Sequence, residues 1–212
     1  MLKQLFGRIT SQKNAVKTVI VVSGLPRSGT SMMMKMLAEG GLENITDSIR
    51  GADEDNPNGY FEFETVKQLA DGQTQWLADA NHKVVKIISA LLEYLPGNHH
   101  YKILFMEREI SEILASQRKM LAHRNEESKT SDTEMESQFR EHLSAIKFWI
   151  ARQPNIEVLY VDYNRLLSSP DEYCPAIAEF IGMPINVEKM RSVPDEHLYR
   201  NRSTGRQNQP ST

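Results

Sequence analysis

A segment rich in glycine and in hydrogen-bond donors, Gly24–Ser31, follows the apolar run Ile20–Val22 and precedes a methionine-rich helical pattern. This order of strand, glycine loop and helix directs backbone N–H groups and the positive end of a helix dipole toward one point, which favours anion binding. Gly29 allows the backbone to approach an anion closely. The hydroxyl groups that add donors at the helix start belong to Ser28, Thr30 and Ser31. The sequence therefore predicts an anion-binding site at Gly24–Ser31, which we call the anion loop.

The anion loop differs from a Walker A loop at one informative position. The spacing of Gly24 and Gly29 matches the first part of that motif, but Thr30 stands where the motif requires a lysine. This difference disfavours an ordinary nucleotide triphosphatase. Arg27 lies inside the loop instead, and its planar guanidinium can bind two oxygens of a phosphate or sulfonate.

The run Pro26–Ser31 resembles the 5′-phosphosulfate loop of sulfotransferases, in the arginine-containing form of tyrosylprotein and many bacterial members. In that family an arginine followed eight residues later by a serine binds the 3′-phosphate of the donor, and Arg108 and Ser116 have this spacing. The resemblance implies a P-loop NTPase-like sulfotransferase fold with 3′-phosphoadenosine 5′-phosphosulfate as co-substrate. The donor-binding residues that it implies here are Pro26, Arg27, Ser28, Gly29, Thr30, Ser31, Arg108 and Ser116.

The position of Arg108 in the chain favours this phosphate-binding role. Ligands of open parallel sheets lie outside the carboxyl ends of the strands, and the anion loop and Arg108 both follow predicted strands. The alternative is that Arg108 pairs locally with a carboxylate on a solvated helix face. The neighbouring carboxylates are Glu107, Glu109 and Glu112.

Two cations are candidates for stabilising the charge that develops during sulfuryl transfer, a reaction that needs in-line positioning and charge neutralisation. Arg27 fits by its place in the loop, and Lys86 fits because it lies in an otherwise apolar strand. Tyrosylprotein sulfotransferases have a lysine in the strand before their 3′-phosphate arginine, and Lys86 lies 22 residues before Arg108. Alternatively, Lys86 faces water or pairs with a carboxylate such as Glu62. The sulfonate carries less charge than a terminal phosphate, so we expect no metal.

Glu62 is the preferred acceptor of the proton from the incoming hydroxyl. It ends the turn-rich segment Asn56–Glu62, which resembles a segment after the loop in bacterial sulfotransferases, and a carboxylate can act as a general base. The competing carboxylates are Asp47, Asp53, Glu54, Asp55 and Glu64. Since other sulfotransferases use a histidine base, the remaining candidates are His82, His99 and His100.

Two arginines near the carboxyl end, Arg200 and Arg202, lie beside Tyr199, a combination that can bind phosphate and stack on adenine. The glycine-rich, lysine-containing segment by which cytosolic sulfotransferases close over the 3′-phosphate is absent from the sequence. Arg200 or Arg202 would bind the donor in its place, or both belong to a solvated basic tail.

Short apolar, β-branched runs alternate with helical patterns, which is typical of a parallel sheet covered on both faces. The predicted strands are Thr18–Val22, Val84–Ile88, Ile103–Met106 and Val158–Val161. The predicted helices are Ser31–Glu39, Glu64–Ala80, Glu109–Arg124 and Glu134–Arg152. We therefore expect an α/β three-layer sandwich with a central parallel sheet.

The length of 212 residues suits one domain, expected over residues 1–200, with a polar, flexible tail over 201–212. A net charge of −3 gives no global field that would attract nucleic acid. The single cysteine, Cys174, excludes an intramolecular disulfide and a multi-cysteine metal site. No stretch approaches the roughly 20 apolar residues of a membrane span, so we expect a cytoplasmic protein.

Two other functions stay open at this point. A P-loop nucleotide kinase or NTPase would bind magnesium through Asp162, which follows the last predicted strand, but the missing loop lysine argues against it. A non-catalytic nucleotide-binding protein would keep the fold without the chemistry. For a sulfotransferase the acceptor is an unidentified hydroxyl. Its site is expected at Ile45–Phe63, at the polar connection Asn125–Thr133 and, in a homo-oligomer, on a second subunit.

Overall fold

The computed structural model describes residues 16–47, 59–126, 128 and 130–194. The strands of its sheet are β1 Thr18–Gly24, β2 Asn44–Ile45, β3 Val84–Lys86, β4 His100–Glu107 and β5 Ile156–Asp162. All neighbouring strands are parallel, in the order β2-β3-β1-β4-β5. The α-helices are α1 Thr30–Glu39, α2 Ile110–His123, α3 Asp132–Ile150, α4 Tyr163–Ser168, α5 Pro170–Ile181 and α6 Val187–Arg191, and the 3₁₀ helices are Glu64–Asp71, Gln75–Asp79 and Ser89–Tyr94. None of the helices in these ranges is long and apolar enough to cross a membrane.

The central strands β1 and β4 are largely buried on both faces of the sheet, and their alternate residues point to opposite faces. In β1, Ile20 and Val22 belong to one core together with α1, α4, α5 and α6. Val19 and Val21 belong to a second core together with α3 and the 3₁₀ helices. A parallel strand buried on both faces has a continuous apolar sequence, which is why β1 is recognisable. The predicted α/β three-layer sandwich with a central parallel sheet is confirmed.

The predicted helix Glu64–Ala80 is wrong. The structure has two 3₁₀ helices there, Glu64–Asp71 and Gln75–Asp79. Gly72 adopts a left-handed conformation with φ 75° and ends the first one, and its N–H donates to Leu69 O at 3.0 Å. A left-handed residue stops the continuation of a right-handed helix. The glycine was the signal for this break.

The strand boundaries need smaller corrections. β3 ends at Lys86 instead of Ile88. The N–H of Ile87 still donates to Val22 O at 3.0 Å, but Ile88 is 45% exposed and leads into the 3₁₀ helix Ser89–Tyr94. β2 is absent from the prediction because two residues are too short for a periodic pattern.

Helices α4, α5 and α6 are also absent from the prediction. Helix α5 begins with Pro170 and contains Pro175, and a proline within an apolar pattern usually argues against a helix. Pro170 occupies the first turn, where proline is tolerated. Helix α3 begins at Asp132, two residues earlier than predicted, because the Ser131 hydroxyl accepts a hydrogen bond from the N–H of Glu134 and caps the helix.

The carboxyl ends of the strands form the edge of the sheet at which the predicted site residues lie. After β1 the chain enters α1 on one face, whereas after β4 it enters α2, which packs against α3 on the other face. The helices therefore leave the adjacent strands β1 and β4 toward opposite faces. Such a switch point opens a crevice at the carboxyl edge, which is the usual ligand site of open α/β sheets.

Candidate functional site

The anion loop is a tight turn between β1 and α1. The N–H of Ser28 donates to Leu25 O at 3.2 Å, and Gly29 precedes the first residue of α1 with φ 100°. Arg27 also has a positive φ, 71°, which is uncommon for a residue with a side chain. The surrounding structure imposes this conformation, and imposed backbone strain is typical of functional loops.

Both glycines of the loop lie where a side chain would collide. A Cβ on Gly24 would lie 2.6 Å from Met106 O and 2.6 Å from Ser28 Oγ. A Cβ on Gly29 would lie 2.3 Å from Cδ2 of Tyr163. The two glycines therefore let the loop pack against β4 on one side and against the start of α4 on the other.

The two elements predicted to bind the donor are in direct contact, although the residues involved are 81 and 89 positions apart. Arg27 Nε donates to Ser116 Oγ at 2.9 Å. In the other direction, Arg108 Nη1 donates to the carbonyl oxygen of Arg27 at 3.2 Å. The structure thus brings Arg27, Arg108 and Ser116 together beyond the carboxyl ends of β1 and β4.

Arg108 is held from several sides, and only 8% of its side chain is exposed. Its Nε donates to Glu112 Oε2 at 3.0 Å, so the local pairing with Glu112 that the sequence left open is present. The guanidinium lies over the ring of Tyr163, 4.5 Å from the centroid. Burial raises the pKa of Tyr163, and the positive charge of Arg108 opposes that rise. Tyr163 is therefore a neutral, rigid support for the guanidinium.

Lys86 contacts the segment that contains Glu62 at the carboxyl end of β3, next to β1. Lys86 ends β3, and its Nζ donates a hydrogen bond to the carbonyl oxygen of Tyr60. The carbonyl oxygen of Glu62 accepts from the N–H of Asp47 at 3.1 Å. Residues 59–63 are thereby tied to the ends of β2 and β3, beside the strand that carries the anion loop.

Phe61 anchors this segment from the inside. Its φ is 48°, and its side chain packs against the core that contains α1. A left-handed aromatic residue is an outlier that only strong local packing maintains. It fixes the backbone of the buried Tyr60 and the half-buried Glu62 on either side.

Two of the competing carboxylates have local partners. Asp47 Oδ2 accepts from the N–H of Glu64 at 2.7 Å, and the Glu64 carboxylate pairs with Lys67 at 2.7 Å. The other competing carboxylates, Asp53, Glu54 and Asp55, lie outside the described residues. So do the two arginines predicted to bind the donor, Arg200 and Arg202.

The three candidate histidines lie at the amino ends of the strands, opposite the anion loop. The backbone N–H of His82 donates to Thr18 O at 2.7 Å, and that of His100 donates to Lys17 O at 2.9 Å, both at the start of β1. Burial lowers the pKa of His99, which precedes β4 in the same region. These positions are remote from the anion loop, which lies at the other end of β1.

A hydroxyl–imidazole pair that the sequence analysis missed lies closer to Lys86. Ser89 Oγ and His142 Nε2 are 2.8 Å apart. Ser89 is buried and begins the 3₁₀ helix that follows β3, and α3 packs against this helix. Imidazole is a common proton acceptor in catalysis. The two residues are 53 positions apart and share no motif, so no sequence signal could have found the pair.

Asp162, the residue that a magnesium-dependent kinase would require, has a structural role. Its Oδ1 accepts from the N–H of Arg165 at 2.9 Å and caps α4. Within the residues that the structure describes, no group of three or more histidine, cysteine, aspartate or glutamate side chains could hold a metal ion.

Comparisons with known proteins identify the family. A family model described as the sulfotransferase domain matches residues 17–212. The crystal structure of sulfotransferase STF1 from Mycobacterium tuberculosis H37Rv is similar with a TM-score of 0.56 at 18% identity, covering 86% of this chain and 72% of that one. The sulfotransferase domain of the Synechococcus PCC 7002 olefin synthase has a TM-score of 0.51 at 11% identity, covering 89% and 84%. At these identities the two structures show a shared fold. No curated protein sequence matches the chain. Because the family model spans nearly the whole sequence, the chain belongs to the sulfotransferase domain family.

Proposed function

We propose that the protein transfers a sulfuryl group from 3′-phosphoadenosine 5′-phosphosulfate to an acceptor hydroxyl. The observation that carries this proposal is the pair of reciprocal hydrogen bonds between the anion loop and the Arg108–Ser116 element. A nucleotide with phosphate groups at both its 5′ and 3′ positions needs two anion sites at a fixed separation, and two elements that contact each other supply them. The family match supports the same reaction class.

The residues of the site fit such a donor. Ser28 Oγ is buried in the loop and has no hydrogen-bond partner among the described residues, and a bound phosphate oxygen is a group that would use it. Arg27 and the N-terminus of α1 would hold the phosphosulfate group. Arg108 and Ser116 would hold the 3′-phosphate. Each of these side-chain contacts with the donor can be removed by a single substitution.

The reaction that we propose is an in-line displacement. The bond between sulfur and the oxygen of the 5′-phosphate breaks as a bond forms between sulfur and the acceptor oxygen, and adenosine 3′,5′-bisphosphate leaves. Arg27 and Lys86 would stabilise the negative charge that develops on the leaving oxygen. Glu62 would accept the proton of the acceptor hydroxyl. Residues of this chain would therefore neutralise the charge on the leaving oxygen and take up the proton of the acceptor.

Thermal unfolding with two nucleotides tests the proposal. Adenosine 3′,5′-bisphosphate without magnesium is expected to raise Tm by about 5–10 °C at a hundred times its Kd, because it binds the folded state. ATP with magnesium is expected to leave Tm unchanged, because the loop lacks the lysine of a Walker A motif. A rise in Tm with ATP and magnesium, but not with adenosine 3′,5′-bisphosphate, would instead support a kinase or NTPase.

The Glu62→Gln variant tests the proton acceptor. We expect it to bind adenosine 3′,5′-bisphosphate as the wild type does and to transfer the sulfuryl group about a hundredfold more slowly, because an amide cannot accept the proton. The rate is measured with ³⁵S-labelled donor and an extract of cells that express the protein. The component of the extract that becomes labelled is the acceptor. The matched control is His142→Gln. A rate loss in this control, with unchanged turnover in Glu62→Gln, would assign the proton to the Ser89–His142 pair.

A further inference from the structure

Glu112 is a charged residue in the interior of the protein to which the proposed reaction gives no role. It lies in the first turn of α2 and is 1% exposed. A buried carboxylate is costly unless its oxygens are paired or hydrogen-bonded. Its burial beside the donor crevice therefore calls for an explanation from its contacts.

The contacts of Glu112 connect two separate elements. Oε2 accepts from Arg108 Nε at 3.0 Å, and Oε1 accepts from Asn164 Nδ2 at 3.2 Å. Asn164 belongs to α4 and follows Tyr163, whose ring lies under the Arg108 guanidinium. The carboxylate thus fixes the Nε edge of Arg108 while Tyr163 fixes its plane.

These contacts continue into the anion loop and return to α2. Arg108 Nη1 donates to Arg27 O, and Arg27 Nε donates to Ser116 Oγ, one helical turn beyond Glu112. The ring of contacts therefore begins and ends on the same face of α2. Because a long arginine side chain loses much rotational freedom when it binds, an anchored guanidinium binds an anion more tightly than a mobile one.

We infer that Glu112 is a positioning residue that holds Arg108 in its anion-binding orientation and so gives the site its preference for nucleotides with a 3′-phosphate. The inference depends on the proposed donor and deepens it. Glu112 itself bears the wrong charge to contact a phosphate, so it acts through Arg108. A donor without the 3′-phosphate gains nothing from this anchoring and is discriminated against.

The test is a ratio of two dissociation constants, measured by isothermal titration calorimetry: the Kd of the nucleotide without the 3′-phosphate divided by the Kd of the nucleotide with it. The ligands are adenosine 3′,5′-bisphosphate and adenosine 5′-monophosphate, which lacks the 3′-phosphate. The wild type is expected to prefer the bisphosphate strongly. Glu112→Gln is expected to weaken bisphosphate binding about tenfold and to leave 5′-monophosphate binding within about twofold, so the ratio falls. A role in folding alone would lower Tm and leave the ratio unchanged, which would overturn the inference.

Matched variants separate this role from general effects. Glu136 also pairs with an arginine four residues later, Arg140, but on the exposed surface of α3, so Glu136→Gln should leave the ratio unchanged. If Glu112→Gln does not fold, Glu112→Asp replaces it in the test. This variant keeps the buried charge and shortens the side chain by one methylene, so it should also lower the ratio. In an Arg108→Met background, Glu112→Gln should change the ratio no further, and a further fall would overturn the inference.

The outcome also separates this inference from the proposed function. If the wild type bound neither nucleotide, the proposed donor would be wrong. If the wild type preferred the bisphosphate and every Glu112 variant kept that preference, the donor would stand and only the role of Glu112 would be wrong.

Discussion

The Arg27→Ala variant is expected to lose sulfuryl transfer by a factor on the order of 1,000 in kcat/KM. Arg27 is the only cation within the anion loop, and its backbone is held at φ 71° so that its side chain reaches Ser116 at 2.9 Å. Alanine keeps the Cβ and therefore the backbone strain, but it removes the guanidinium. The loss thus reports the charge and hydrogen bonds of Arg27 and not a change of loop conformation.

Transfer from ³⁵S-labelled donor and binding of adenosine 3′,5′-bisphosphate are measured together for this variant. Arg118→Ala is the control, because Arg118 lies on α2 and forms an exposed ion pair with Asp132. The control should keep full activity. An Arg27→Ala enzyme with wild-type turnover would show that the guanidinium does not act on the transferred group.

The position of the candidate site could be predicted because local rules determine it. β1 is buried on both faces and therefore appears as an unbroken apolar run before the glycine loop. Arg108 lies between β4 and α2, and Ser116 lies within the first two turns of α2, so both residues closely follow the carboxyl end of β4. A parallel sheet then brings the ends of β1 and β4 to the same edge.

The support of the crevice could not be predicted, because it depends on packing between distant segments. Tyr163 and Asn164 come from the chain after β5 and contact Arg108 and Glu112 only through the tertiary structure. Glu112 was visible as one of three neighbouring carboxylates, but sequence spacing alone did not show which of them is buried. The error at Glu64–Ala80 has a local cause instead, since helix periodicity alone does not distinguish an α-helix from two 3₁₀ helices, and the break at Gly72 was the signal that separates them.

The Gly29→Ala variant is expected to lose both stability and donor binding, because the added methyl group meets a ring that cannot move away. The new Cβ would lie 2.3 Å from Cδ2 of Tyr163, and that ring is buried in the core beneath the guanidinium of Arg108. Overpacking typically costs about 1–3 kcal/mol, and a side chain at φ 100° adds about 1–2 kcal/mol of backbone strain. Displacement of Tyr163 would also displace Arg108.

Gly41→Ala separates the two contributions, since Gly41 has φ 99° and, among the described residues other than its chain neighbours, no atom lies within 4 Å of the position of its Cβ. It carries the same dihedral strain as Gly29→Ala without the collision, so we expect a loss of about 1–2 kcal/mol in the free energy of unfolding and unchanged Kd for adenosine 3′,5′-bisphosphate. Gly29→Ala should lose a further 1–3 kcal/mol, roughly, in urea unfolding. It should also bind the bisphosphate about a hundredfold more weakly, because a free-energy loss of about 2.7 kcal/mol at the displaced Arg108 corresponds to that factor. If both variants kept the wild-type Kd, the contact between the loop and Tyr163 would not support donor binding.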